Sequence, residues 1–256
     1  MPSPQKTVLI TGCSAGGIGN ALALEFHTRG VRVIATARRL EAMSNLTAAG
    51  ITTMVLDVAD LGSVGRAKDE VVKLTGGMLD ILVNNAGQPY MSPAIDTELA
   101  PAKAVFDVNF WGPVQMVQTF IPLLISAASA SKSKSGALIV QIGSTAAIAP
   151  IPFSAIYNAS KGALHSYSDT LRVELAPFKR QHEHQHPEQH PQALALSPME
   201  ALYQSKRVDT STGSMPPPQF AKSVVDEALA ANPRAWLWAG KMAWAIWILH
   251  TAGKRR

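Results

Sequence analysis

Tyr157 and Lys161 stand four residues apart, and Ser144 lies 13 residues before the tyrosine. Residues at i and i+4 of a helix share a face, so a phenol and an ammonium at this spacing can point into one pocket. A tyrosine is a poor acid–base group at its ordinary pKa of about 10. A neighbouring cation favours the phenolate and draws that value toward a useful range. Ser144 would hydrogen-bond a substrate oxygen, and Asn109, in the stretch DVNFWG, would carry a water that relays protons to Lys161. Taken alone, Tyr-x-x-x-Lys recurs by chance. Its specificity lies in the order of the pieces along the chain.

The first of those pieces is TGCSAGGIG, residues 11–19, with four glycines between an apolar run and the helical pattern ALALEF. Bare backbone in a strand-to-helix turn lets a pyrophosphate approach, and the helix N-terminus offers free N–H groups and partial positive charge. Gly12, Gly17, Ile18 and Gly19 are the expected contacts. A site for NAD would place an acid at the end of the second strand, for the ribose 2′-hydroxyl. Here that end reads Thr36-Ala37-Arg38-Arg39. Guanidinium groups suit a 2′-phosphate, so Thr36 and Arg38 predict NADPH/NADP+ as cofactor. Asp57 would hold the adenine amino group, and Asn85, in Asn-Ala-Gly at the end of the fourth strand, would lie against the ribose.

These residues need a frame that brings strand ends together. β-Branched runs at 6–10, 31–38, 52–58, 80–87 and 137–144 read as strands. They alternate with helical patterns at 18–29, 61–74, 102–126 and 157–178. Such alternation predicts an α/β fold, a Rossmann-type doubly wound parallel sheet with helices on both faces. Right-handed crossovers then gather the loops after the strands along one edge, where ligands bind.

With 256 residues, 47% of them hydrophobic and 16% charged, the chain can bury one sizeable core. A single cysteine, Cys13, excludes an internal disulfide and fits a reducing compartment. The net charge of +5 is dispersed, with no basic run interleaved with aromatics, which argues against nucleic acid as a partner. The start, MPSPQKTVLI, lacks a signal-peptide pattern.

The glycine loop, Asn84-Asn85-Ala86-Gly87, Asn109, Ser144 and Tyr157-Asn158-Ala159-Ser160-Lys161 together resemble the short-chain dehydrogenase/reductase family over residues 6–178. The extra residue in TGCSAGGIG, with VRVIATARR, LRVELAPF and NPRAWLWAGK, resembles the fungal NADPH-dependent 1-acyldihydroxyacetone-phosphate reductase group. The resemblance implies an oxidoreductase that reduces a ketone on a lipid-like or polyketide-like substrate, with Tyr157 as proton donor. Lys161 would lower the tyrosine pKa and, with Tyr157, hold the nicotinamide ribose. It also implies a homodimer or homotetramer, in the cytoplasm or at the surface of the endoplasmic reticulum or lipid droplets.

Beyond residue 178 the pattern breaks. Residues 179–219 read as an irregular segment, and Arg180 to Gln192 carries His182, His184, His186 and His190 in a polar tract without metal-site spacing. The segment looks replaced, as a retained intron or a shifted reading frame would do, so the sheet is expected to lack its sixth strand. That loss, with the absence of a Pro-Gly loop, supports an alternative: an NADP-binding or interaction protein with impaired catalysis. Residues 220–256 read as a helix from 220 to 231, a strand at 234–240 and a terminal apolar helix. Trp236, Trp238, Trp244 and Trp247 leave two readings of that end, a contact with a membrane surface or a core or dimer helix.

Overall fold

Short runs of Val, Ile and Leu that are apolar at every position suit strands buried on both faces, and the chain places helices on each side of them. The computed structural model describes residues 5–130, 136–149, 151–175, 195–201, 215–231, 233–235 and 237–239. β1 (Thr7–Ile10) leads into α1 (Ile18–Thr28) and β2 (Arg32–Ala37). A 3-10 turn (Leu40–Met43) and the short α2 (Ser44–Ala48) precede β3 (Thr52–Val55). α3 (Leu61–Thr75), capped by the Asp60 carboxylate accepting from Gly62 N–H at 2.8 Å, leads to β4 (Ile81–Asn84).

The next helix runs from α4 (Leu99–Phe106) through a π-helical turn (Asp107–Trp111) into α5 (Gly112–Ala130). β5 (Leu138–Ile142) and α6 (Ala155–Glu174) follow, then β6 (Ala195–Ala201), α7 (Pro217–Ala228) and β7 (Leu237–Ala239).

Among the described residues seven strands pair in parallel, in the order β3-β2-β1-β4-β5-β6-β7. Direction reverses between β1 and β4, and the crevice above their carboxyl ends is where this topology binds ligands. Side chains alternate between two cores. Val8, Ile10, Val33 and Val83 pack under Leu22 and Phe26 of α1 and Phe220 and Val224 of α7. Leu9, Ile34, Leu82 and Ile139 pack under Val64 of α3, Met116 and Phe120 of α5 and Leu171 of α6. The rigid sheet between these layers holds the loops at its upper edge.

The expectation of a missing sixth strand is corrected. β6 pairs with β5 from Leu138↔Ala195 to Ile142↔Met199, and with β7 on its other side. Without it the outer edge of β5 would leave a row of backbone donors and acceptors unpaired. The short stretch Ala195-Leu196 is hidden behind the polar histidine tract, and Pro198, which has no N–H, argues against a strand in sequence. The segment expected to be irregular over 179–219 therefore contains a strand, and the loss that motivated a catalytically impaired protein is absent. α7 also begins at Pro217 rather than 220, because proline is tolerated in a first helical turn.

Arg234 pins the approach to β7: its backbone N–H and guanidinium donate to the Glu227 carboxylate at 2.6–2.8 Å. The four histidines of the polar tract, Trp236, and the terminal apolar stretch from Lys241 lie outside the described residues.

Candidate active site

The turn from β1 into α1 closes tightly on the end of β4. Gly12 has φ +73°, and a Cβ there would sit 2.8 Å from Ala86 Cα. A Cβ on Gly19 would sit 2.5 Å from Gly12 O. Both contacts are to backbone, which cannot swing aside, so these two positions accept only glycine. Gly17 precedes α1 in extended backbone, and helix geometry leaves the N–H groups of Ile18 and Gly19 without intrahelical acceptors. No acidic residue stands in that first turn, and among the described residues nothing beyond its chain neighbours lies within 4 Å of the place where a Gly16 side chain would begin. The bare backbone with unspent donors fits the pyrophosphate of a dinucleotide.

Two hydroxyls and an amide lock this loop. Thr11 Oγ1 accepts from the N–H groups of Asn85 and Ala86, each at 3.0 Å. Asn85 Nδ2 donates to Thr11 O at 2.8 Å and Gly12 O at 3.0 Å. Thr36 is fully buried, its hydroxyl donating to Ile10 O at 3.0 Å and its carbonyl accepting from Cys13 N–H at 2.8 Å. The side chains of Thr36 and Asn85 thus tether the loop; the expectation that Thr36 faces a ligand is corrected, because its side chain is spent inside the sheet. Arg38 and Arg39 are exposed at the end of β2 and form no ion pair among the described residues. Asp57 is half-buried, one carboxylate oxygen accepting from Ala59 N–H at 3.0 Å.

The catalytic candidates meet where β5 ends. Ser144 is buried at the start of a 3-10 turn, and its Oγ accepts from Ala146 N–H at 3.1 Å. That leaves its proton to turn toward the Tyr157 oxygen. Burial pushes the phenol above its ordinary value, and the Ser144 contact pulls the other way. One turn on, Lys161 is 5% exposed and donates from Nζ to Ile142 O at 2.9 Å. Burial draws its ammonium down to about 8. The expected lowering of the tyrosine by Lys161 is not what the site displays: burial dominates the phenol, and the ammonium is turned to a backbone carbonyl.

Asn109 sits on the π-helical turn, a feature that often marks functional positions. Its Oδ1 accepts from Gln88 N–H at 2.8 Å, and its Nδ2 donates to Gln88 O and to Ser160 Oγ, each at 3.0 Å. Ser160 in turn donates to Tyr157 O at 2.8 Å. Both amide protons are committed to protein, so the Asn109 side chain clamps the loop after β4 to the tyrosine's own turn. A Cβ on Gly87 would lie 3.3 Å from Asn109 Oδ1 and 3.6 Å from Lys161 Nζ, so this bare residue borders both groups.

A glycine-lined turn, a buried lysine and a serine–tyrosine pair thus share one sheet edge. The model of the short chain dehydrogenase family matches residues 6–179. The chain belongs to the short-chain dehydrogenases. It is 51% identical over 174 residues to the NADPH-dependent 1-acyldihydroxyacetone phosphate reductase of Schizosaccharomyces pombe, an alignment covering 68% of this chain and 56% of that protein. It is 39% identical over 255 residues to the short-chain dehydrogenase virD of Hypocrea virens, covering 94% of this chain and 85% of that one. In fold it matches a short-chain dehydrogenase from Streptomyces avermitilis with a TM-score of 0.81 at 22% identity, covering 99% of this chain and 94% of the other.

Three residues of this short-chain dehydrogenase site escaped the sequence reading. Thr11 and Ser160 stand inside the recognised motifs, where the glycines and the tyrosine drew attention from them. His165 lies four residues beyond Lys161 on the same helix face, and that spacing was the available signal. It is buried, and Ser144 N–H donates to its Nε2 at 3.4 Å.

Proposed function

We propose that the chain is an NADPH-dependent reductase that converts a ketone on a lipid-like or polyketide-like substrate to a secondary alcohol. The observation that supports this most is the Ser144–Tyr157 hydroxyl pair, one helical turn from the buried Lys161 and on the same sheet edge as the bare glycine loop. The backbone from Gly12 to Gly19 would hold the pyrophosphate, Arg38 and Arg39 the 2′-phosphate, and Asp57 the adenine amino group. When bound, the reduced nicotinamide supplies the hydride.

Tyr157 gives its phenolic proton to the substrate oxygen as that oxygen gains negative charge. A phenol held above its ordinary value stays protonated at neutral pH, so the donor is loaded before the reaction starts. Ser144 would then stabilise the phenolate by donating its hydroxyl proton, and Lys161 would hold the nicotinamide ribose. Asn109 and Ser160 hold the tyrosine's turn against the loop after β4.

An apolar substrate is supported by the rim of the cleft. Ser92 N–H donates to Phe153 O at 2.8 Å, joining the loop after β4 to the loop before α6. Around this junction Ile95 is 94% and Phe153 63% exposed, with Ile151 and Met91 also uncovered. The name of the Schizosaccharomyces pombe relative, an acyl-linked ketone reductase, agrees with such a substrate. The same reading expects the enzyme in the cytoplasm or at the surface of the endoplasmic reticulum or lipid droplets.

The test is NADPH oxidation over a series of ketones of rising chain length, with Tyr157→Phe as the comparison. The variant should lose about a hundred- to ten-thousand-fold in kcat while binding NADPH as before. Undiminished turnover in Tyr157→Phe would remove the tyrosine from the mechanism.

A further inference from the structure

We infer that Asn20 and Asn45 form a positioning pair that keeps the arginines after β2 in register with the glycine loop, and that this pair helps set the preference for a 2′-phosphate. The inference rests on the NADPH reading above.

Arg38 and Arg39 leave β2 on the exposed surface, so their own side chains do little to fix them. What fixes them is the backbone on either side. On one side Thr36 O accepts from Cys13 N–H at 2.8 Å, tying the end of β2 to the glycine loop. On the other, Ala15 N–H donates to Ala42 O at 2.8 Å, tying the 3-10 turn to the same loop.

The second tie is reinforced by a reciprocal amide pair. Asn20 is 5% exposed in the first turn of α1, and its Nδ2 donates to Cys13 O and to Asn45 Oδ1, each at 3.1 Å. Asn45 Nδ2 returns a bond to Asn20 Oδ1 at 3.0 Å. The arginine pair is therefore strung between two anchors on one loop. The pyrophosphate and the 2′-phosphate would be gripped by parts of a single hydrogen-bonded unit.

Losing Asn45 removes both bonds of the pair but leaves the Asn20–Cys13 bond, so the glycine loop keeps its shape. The 3-10 turn and α2 stay docked through the fully buried Met43 and Leu46. Asn45 is itself exposed, so water replaces it without leaving a buried orphan. The effect should therefore fall on the arginines, and on the ligand that needs them.

Dissociation constants for NADPH and NADH, measured on wild type, Asn45→Ala, Asn45→Ser and Arg38→Ala, test this. Both Asn45 variants should weaken NADPH by about three- to tenfold, the value of one neutral hydrogen bond, and leave NADH within about twofold. Equal loss for both dinucleotides would make the pair a merely structural brace and overturn the inference. So would unchanged NADPH binding in both variants. A wild type without preference for NADPH would instead refute the cofactor reading itself, and the inference with it. That failure is seen before any variant is made.

Discussion

Replacing Lys161 by methionine should abolish reduction and still stabilise the protein in the absence of dinucleotide. The ammonium is 5% exposed and donates to Ile142 O, and burial draws its pKa from 10.5 to about 8. The gap, 10.5 − 8, is about 2.5 pH units, or about 3 kcal/mol for keeping this group charged inside the fold at pH 7. Methionine retains the stem and removes the charge. Ile142 O loses a donor, which costs about 1 kcal/mol, so the net gain should be about 2 kcal/mol.

The pH dependence has a definite sign. The folded value lies below the unfolded one, so between pH 8 and 10.5 the unfolded chain holds more protons, and wild-type stability rises with pH through that window. Urea unfolding of wild type and Lys161→Met at several pH values from 7 to 10 measures this as a difference, which cancels the other titrating groups. The variant should lead at pH 7, and the lead should shrink as the pH approaches 10. A variant less stable than wild type at pH 7, or a difference that does not change with pH, would refute the reasoning.

Three other outcomes follow from the same geometry. Gly19→Ala should weaken NADPH binding at least about tenfold and cost about 1–3 kcal/mol in chemical denaturation, because its Cβ would meet Gly12 O at 2.5 Å. Asn109→Ala removes three hydrogen bonds of 2.8–3.0 Å and should lower stability by about 2–4 kcal/mol. It should also lower kcat more than it raises the NADPH dissociation constant. Cys13 is buried, and its thiol is pushed up to about 12, so a thiol reagent at pH 8 should label native protein at least about a thousandfold more slowly than unfolded protein.

Much of this architecture is legible in the chain because the signals are local. β1, β4 and β5 are short apolar runs, β2 and β3 are short runs rich in β-branched residues, and the tyrosine–lysine spacing holds on any helix. β6 was not legible, since a strand that starts after a polar tract and contains Pro198 is stabilised by the open edge of β5 rather than by its own pattern. α2 is only five residues long, too short for a helical period to register. The polar residues of the site were found, but not their hydrogen-bond partners. Whether Thr36, Asn85 or Asn109 faces a ligand or a neighbouring loop depends on which carbonyls lie within reach. Folding decides that, through residues distant in sequence.

The most direct test of the central claim is isotope transfer. NADPH carrying deuterium on the transferable C4 position would be incubated with the protein and a set of medium-chain ketones, and the alcohols analysed by mass spectrometry. The account predicts one deuterium on the carbinol carbon, lost when Tyr157→Phe replaces the wild type. NADPH bound tightly with no deuterium in any alcohol would contradict it, and would leave a dinucleotide-binding protein in place of a reductase.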